Sequence, residues 1–90
     1  MKIVIIEDEL PSARLLRRKL EELGYTVSAV LQTVEESIEW FMSNSDPDLL
    51  FLDIQLADGI SFDILEQVKP SSAIIFTTAY DEYMLRAFKQ

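Results

Sequence analysis

Hydrophobic and polar positions alternate along the chain between two rhythms. Lys2 to Ile6 is β-branched and continuously apolar from Ile3, the pattern of a strand covered on both faces in a parallel sheet, and Glu7-Asp8-Glu9 closes it. Pro11 then suits a first helical turn, and Ala13, Leu16, Leu20 and Leu23 recur at helical spacing until Gly24, a C-terminal stop. Thr26 to Val30 predicts a second strand. Thr33-Val34-Glu35-Glu36 has the spacing of a capping box and predicts a helix carrying Val34, Ile38, Phe41 and Met42. Asp46-Pro47-Asp48 breaks that helix, because proline lacks an amide proton and disfavours helical geometry in its predecessor; Leu49 to Leu52 follows as a third strand, closed by Asp53. Asp58-Gly59 predicts a turn, and Ile60, Ile64, Leu65 and Val68 a third helix ending at Pro70. Ala73 to Thr77 predicts a fourth strand, and Asp81 to Gln90 a fourth helix with Tyr83 or Met84, Ala87 and Phe88 on one side.

Four strands alternating with four helices call for an α/β fold, a parallel sheet with helices on both faces. Ninety residues leave room for one domain, and no repeat or linker interrupts them. Ligands in such open sheets bind outside the carboxyl ends of the strands. That edge is where chemistry is expected.

Charge and composition narrow the classes. Sixteen acidic residues against eight basic ones give a net charge of -8, which argues against direct contact with a nucleic acid backbone. With no cysteine and no histidine, disulfides, thiolate zinc sites and histidine-based catalysis are excluded. The apolar run Ile3-Val4-Ile5-Ile6 is too short for a signal-peptide core or a membrane span, so cytoplasmic residence is the expectation.

If the first and third strands are adjacent, Glu7, Asp8 and Asp53 meet at one edge. Unit charges about 4 Å apart repel by roughly 4 kcal/mol at an effective dielectric near 20, so the cluster needs a proton or a cation. Mg²⁺ prefers oxygen ligands and usually takes one or two carboxylates beside a phosphate oxygen. Thr77-Thr78 after the fourth strand adds hydroxyls at the same edge. The plainer alternative is that each acid terminates its strand and faces water. The residues alone reach an acidic Mg²⁺ and phosphate site with a carboxylate able to act as nucleophile, and do not choose a reaction.

Three segments carry a resemblance. Val4-Ile5-Ile6-Glu7-Asp8-Glu9, Leu50-Phe51-Leu52-Asp53-Ile54-Gln55-Leu56 and Phe76-Thr77-Thr78-Ala79-Tyr80 resemble, in order, the signature regions of response-regulator receiver domains. The shortened loop Leu56-Ala57-Asp58-Gly59 and Tyr80-Asp81-Glu82-Tyr83 are most similar to receivers that precede LytTR-type DNA-binding domains. The resemblance implies a flavodoxin-like (CheY-like) sheet of strand order 2-1-3-4. It implies Asp53 as phosphoacceptor and Asp8 as a direct Mg²⁺ ligand. Glu7 would act mainly through metal-bound water and Gln55 through its main-chain carbonyl. Thr78 would be the switch hydroxyl and Ala79 would leave space beside it, with Thr77 in core or sheet. The implied partner is a histidine kinase or histidine phosphotransfer protein, and the implied output is an attached transcription-regulating domain.

The chain departs from the family where a fifth strand, a phosphoryl-contacting lysine and a fifth helix would follow; Lys89 falls too early. The expectation is a receiver over residues 1–90, incomplete at its C-terminus, that self-associates through uncovered surfaces or is less stable than a full domain. Two rivals remain. One is an aspartyl-nucleophile phosphatase, which usually places a second aspartate where this chain has Gln55. The other is a structural or oligomerising piece that does not take up phosphate. Arg14, Arg17, Arg18 and Lys19 read as a solvated helix face, and Trp40, Phe41 and Met42 as a core stripe.

Overall fold

A computed structural model describes residues 1–77. Four parallel strands, β1 (Ile3–Ile6), β2 (Val27–Leu31), β3 (Leu49–Leu52) and β6 (Ala73–Phe76), form a sheet in the order β2-β1-β3-β6. The helices are α1 (Leu10–Glu22), α2 (Val34–Ser43) and α3 (Phe62–Val68). A small antiparallel pair, β4 (Gln55–Leu56) and β5 (Gly59–Ile60), lies between β3 and α3. The expected parallel architecture and strand order are therefore present. The fourth helix expected over residues 81–90 lies outside the described residues.

The strands alternate between two cores. Val4, Ile6, Leu31, Leu50 and Leu52 point to one face, where Phe41 of α2 and Ile64 of α3 cover them together with Leu56. Ile3, Ile5 and Val27 point to the other, against Ala13 and Leu20 of α1. Each fully buried aliphatic side chain of this kind contributes about 1.5–3 kcal/mol. β1, buried along its whole length, is the central plank.

Local chemistry explains the element ends. Thr33 caps α2, its hydroxyl accepting from Glu36 N at 3.0 Å, while the Glu36 carboxylate reaches back one residue further than an ordinary capping box, to Gln32 N at 2.7 Å. Gly24, at φ +93°, follows the C-terminus of α1 in the left-handed region where a side chain is disfavoured.

Three residues, Ile60, Met42 and Leu23, differ from the sequence reading. Ile60 belongs to β5 and not to the third helix, because Ser61 N donates to Ile54 O at 2.8 Å and returns the chain as a hairpin before α3 begins. Met42 is 80% exposed and Leu23 73%, so the buried stripes end at Phe41 and Leu20. Trp40 is half-buried, packs edge-on to Phe41 with ring centroids 5.2 Å apart, and touches the core. The solvated reading of α1's basic face holds for Arg17, whose 3.6 Å ion pair with Glu21 is exposed.

Candidate functional site

The sheet ladder itself builds the site. Ile6 of β1 stands opposite Leu52 of β3, so the residues that follow each strand emerge side by side. The ladder continues one residue beyond the strands: Glu7 N donates to Leu31 O at 2.8 Å, Asp53 N to Ile6 O at 3.0 Å and Thr77 N to Leu52 O at 3.1 Å. Main-chain bonds thus hold Glu7, Asp53 and Thr77 at the carboxyl edge before any side-chain contact is considered. Parallel pairing makes this proximity obligatory, since strands running the same way end at the same edge.

Glu7, Asp8 and Asp53 each offer a carboxylate oxygen within 4.8 Å of the other two, and all three are half-buried. Burial and the neighbouring Asp53 and Asp8 carboxylates push the Glu7 carboxyl up from 4.5 to about 7, despite an opposing 3.2 Å hydrogen bond from Glu9 N to Glu7 Oε2. Near neutrality, then, Glu7 is only partly ionised, which offsets part of the cluster's charge. A hard divalent cation would serve the same purpose with oxygen donors already in place, so the donor set fits Mg²⁺.

The other expected site residues stand as follows. Gln55 opens β4 two residues beyond Asp53, with its side chain exposed and its main chain paired to Ile60. Thr77 is exposed one residue beyond β6, its N–H still on the ladder. It lines a cavity of about 280 Å³ with Glu7, Ser12, Leu15, Leu16 and Lys19. Thr78 and Ala79 lie outside the described residues.

One feature of the edge was not apparent in the sequence. Asp58, at the turn of the β4–β5 hairpin, accepts from Val34 N at 2.7 Å and from Glu35 N at 3.1 Å, joining the segment after Asp53 to the first turn of α2. The Asp58-Gly59 turn signal was legible, but nothing in a local pattern reveals that the carboxylate reaches another helix.

Residues 3–90 match the family described as the response regulator receiver domain. Over 93 residues the chain is 38% identical to the sensory transduction protein LytT of Bacillus anthracis, an alignment covering 99% of this chain and 37% of LytT. The chain thus spans less than two fifths of that relative's length. The solution structure of the receiver domain of the response regulator PhyR from Erythrobacter litoralis is similar at TM-score 0.82 and 28% identity, covering 99% of this chain and 70% of that one. The MaeR response regulator bound to beryllium trifluoride is similar at TM-score 0.77 and 26% identity, covering 99% and 75%.

Proposed function

The chain belongs to the response regulator receiver domain family, and from that membership we propose that it is a phosphoacceptor switch whose Asp53 takes a phosphoryl group from a histidine kinase or histidine phosphotransfer protein. The observation that carries this reading is the convergence of Glu7, Asp8 and Asp53 at one edge.

In the proposed reaction an Asp53 carboxylate oxygen attacks the phosphorus of a phosphohistidine. The O–P bond forms as the P–N bond opens, the electron pair stays on the imidazole, which takes a proton from solvent, and Asp53 becomes an acyl phosphate. The ladder bond from Asp53 N to Ile6 O fixes the attacking residue, so positioning supplies much of the rate. Asp8 and Asp53 would hold Mg²⁺ directly, Glu7 through water and Gln55 through its main-chain carbonyl. An ion held there would supply positive charge beside the phosphoryl oxygens and the attacking carboxylate. Thr78, which the family resemblance makes the switch residue, would be the hydroxyl that meets the phosphoryl group. MaeR, a similar response regulator, is bound to beryllium trifluoride, a compact anion that mimics a phosphoryl group, which supports a phosphoryl site in this chain.

Receiver domains are signalling modules, and this one turns over no separate substrate in our reading. The greater length of LytT supports an attached output domain, which we take to regulate transcription. The acidic receiver itself makes no direct nucleic acid contact, and no helix among the described residues is long and apolar enough to cross a membrane. Cytoplasmic residence fits this role.

Intact-mass measurement after incubation with acetyl phosphate and Mg²⁺ tests the proposal. A single phosphoryl adduct is expected, dependent on Mg²⁺ and abolished in Asp53→Asn. A folded chain that takes up no phosphoryl group would overturn the switch and leave a structural or self-associating module.

A further inference from the structure

We infer that Asp58 is a positioning residue for the phosphoacceptor loop: by clamping the hairpin tip to the first turn of α2, it steadies the main chain of Gln55, two residues beyond Asp53, whose carbonyl would be offered to a divalent cation. The inference rests on the proposed function above and adds a residue to its site.

The amides at the start of α2 identify the clamp. A helix leaves its first N–H groups without intrahelical acceptors. Here Glu36 N goes to the Thr33 hydroxyl and Ser37 N to Thr33 O, which are local contacts. Val34 N and Glu35 N go instead to the two oxygens of Asp58, more than twenty residues away in sequence. A turn residue that merely reversed the chain would have no need of a carboxylate aimed at another element. The two amide donations hold the Asp58 carboxyl below its ordinary range, so it stays charged, at the helix end that favours a negative group.

The hairpin needs an external tether. Its two strands are only two residues long, and an isolated pair of that size is unstable. Its base is fixed at Ile54, whose side chain is buried and whose carbonyl accepts from Ser61 N. Leu56, next to Gln55, is buried in the core, and the tip beyond it is fixed at Asp58. Gly59, at φ +157°, brings the tip close to α2: a Cβ there would meet Val34 Cγ2 at 3.4 Å. In the inferred coupling, a displaced tip strains the chain through Leu56 to Gln55, two residues from Asp53. Supporting groups that orient metal ligands typically contribute about 10–100-fold in affinity.

The test is a Mg²⁺ titration of the protein followed by the amide chemical shifts of Asp53, Ile54 and Gln55, in wild type, Asp58→Ala, Asp58→Asn and Thr33→Ala. Thr33→Ala weakens the α2 cap without touching the hairpin. Asp58→Ala is expected to raise the half-saturating Mg²⁺ concentration about tenfold. Asp58→Asn, which keeps one acceptor oxygen, should fall between it and wild type and covers the case in which the alanine variant fails to fold. Thr33→Ala should bind Mg²⁺ as wild type does. If Asp58→Ala loses thermal stability yet binds Mg²⁺ normally, or if Thr33→Ala shifts binding equally, Asp58 is only a helix cap and the inference is overturned. A wild type with no Mg²⁺ response overturns the cation-site reading itself, and this inference with it.

Discussion

Both ends of the sheet carry aspartates, and the groups those aspartates meet differ. At the amino end Asp48 accepts from Lys2 N at 2.6 Å, and Asp46 accepts from Ser71 N at 2.9 Å and the Ser71 hydroxyl at 3.1 Å. Lys2 Nζ donates to Ser45 O at 2.8 Å and sits 4.9 Å over the Trp40 ring. These acids meet N–H and O–H donors and knit the starts of β1, β3 and β6 together. At the carboxyl end Glu7 also accepts from Glu9 N at 3.2 Å, but the carboxylates of Glu7, Asp8 and Asp53 crowd within 4.8 Å of one another. An acid beside a strand is therefore uninformative by position. The nature of the group it meets separates an end that holds the fold from an end that can take up a cation.

The sharpest way to break this contrast is to remove one charge from the crowded end. Asp8→Asn relieves carboxylate repulsion that would approach about 4 kcal/mol at a dielectric of 20, but the cluster is partly exposed and solvent-screened. A gain of about 1 kcal/mol in the Mg²⁺-free protein is expected, read as a melting temperature roughly 4–8 °C higher. The same variant should lose the stabilisation that Mg²⁺ confers on wild type. Thermal melts with and without Mg²⁺ check both halves. A wild-type-like Mg²⁺ response in Asp8→Asn would remove Asp8 from the ligand set.

A pH series sharpens the contrast further. Glu7 has its carboxyl raised from 4.5 to about 7, so its contribution to stability is fully present below pH 4.5 and is lost as pH rises through about 7. Mg²⁺-free melting temperature should therefore contain a falling component over that window, and Glu7→Gln should abolish it. Because a cation competes with the same proton, half-saturating Mg²⁺ should be lower at pH 8 than at pH 6. Asp58 has the opposite sign: its contribution is present above pH 3.8 and lost below it, so the two do not overlap.

Most of the fold was legible because its signals are local. The β-branched runs of β1 and β3, the Thr33 cap and Gly24 each act within a few residues, and parallel pairing then forces Glu7 and Asp53 together. The β4–β5 hairpin was not legible. A two-residue strand has no periodicity, and Ile60 also fits the helical spacing of Ile64, Leu65 and Val68. What assigns Ile60 to a strand is the bond from Ser61 N to Ile54 O and the burial of Leu56 among Phe41 and Ile64, which are tertiary facts. Asp58 shows the same limit, since its partners lie on a helix that precedes it in the chain.

The smallest expected effect comes from the satisfied end, and it completes the contrast. Asp48→Ala deletes the acceptor for Lys2 N while leaving the main-chain bonds Asp48 N to Lys2 O and Ala73 N to Asp48 O available. Because Asp48 is exposed, water replaces the lost partner, and the cost should be about 0.5 kcal/mol, the low end for the net contribution of an intramolecular hydrogen bond. Phosphoryl uptake, Mg²⁺ affinity and the pH profile of the folded protein should all match wild type. The start of β1 is held by Asp48 at one end of the strand, whereas Glu7 is held at the other by its own ladder bond to Leu31 O. Fraying at Lys2 therefore has a fully buried, hydrogen-bonded strand to cross before it reaches the acids. Should Asp48→Ala shift Mg²⁺ binding as well as stability, the two ends would be coupled through β1, and the separation between structural and chemical acids would fail.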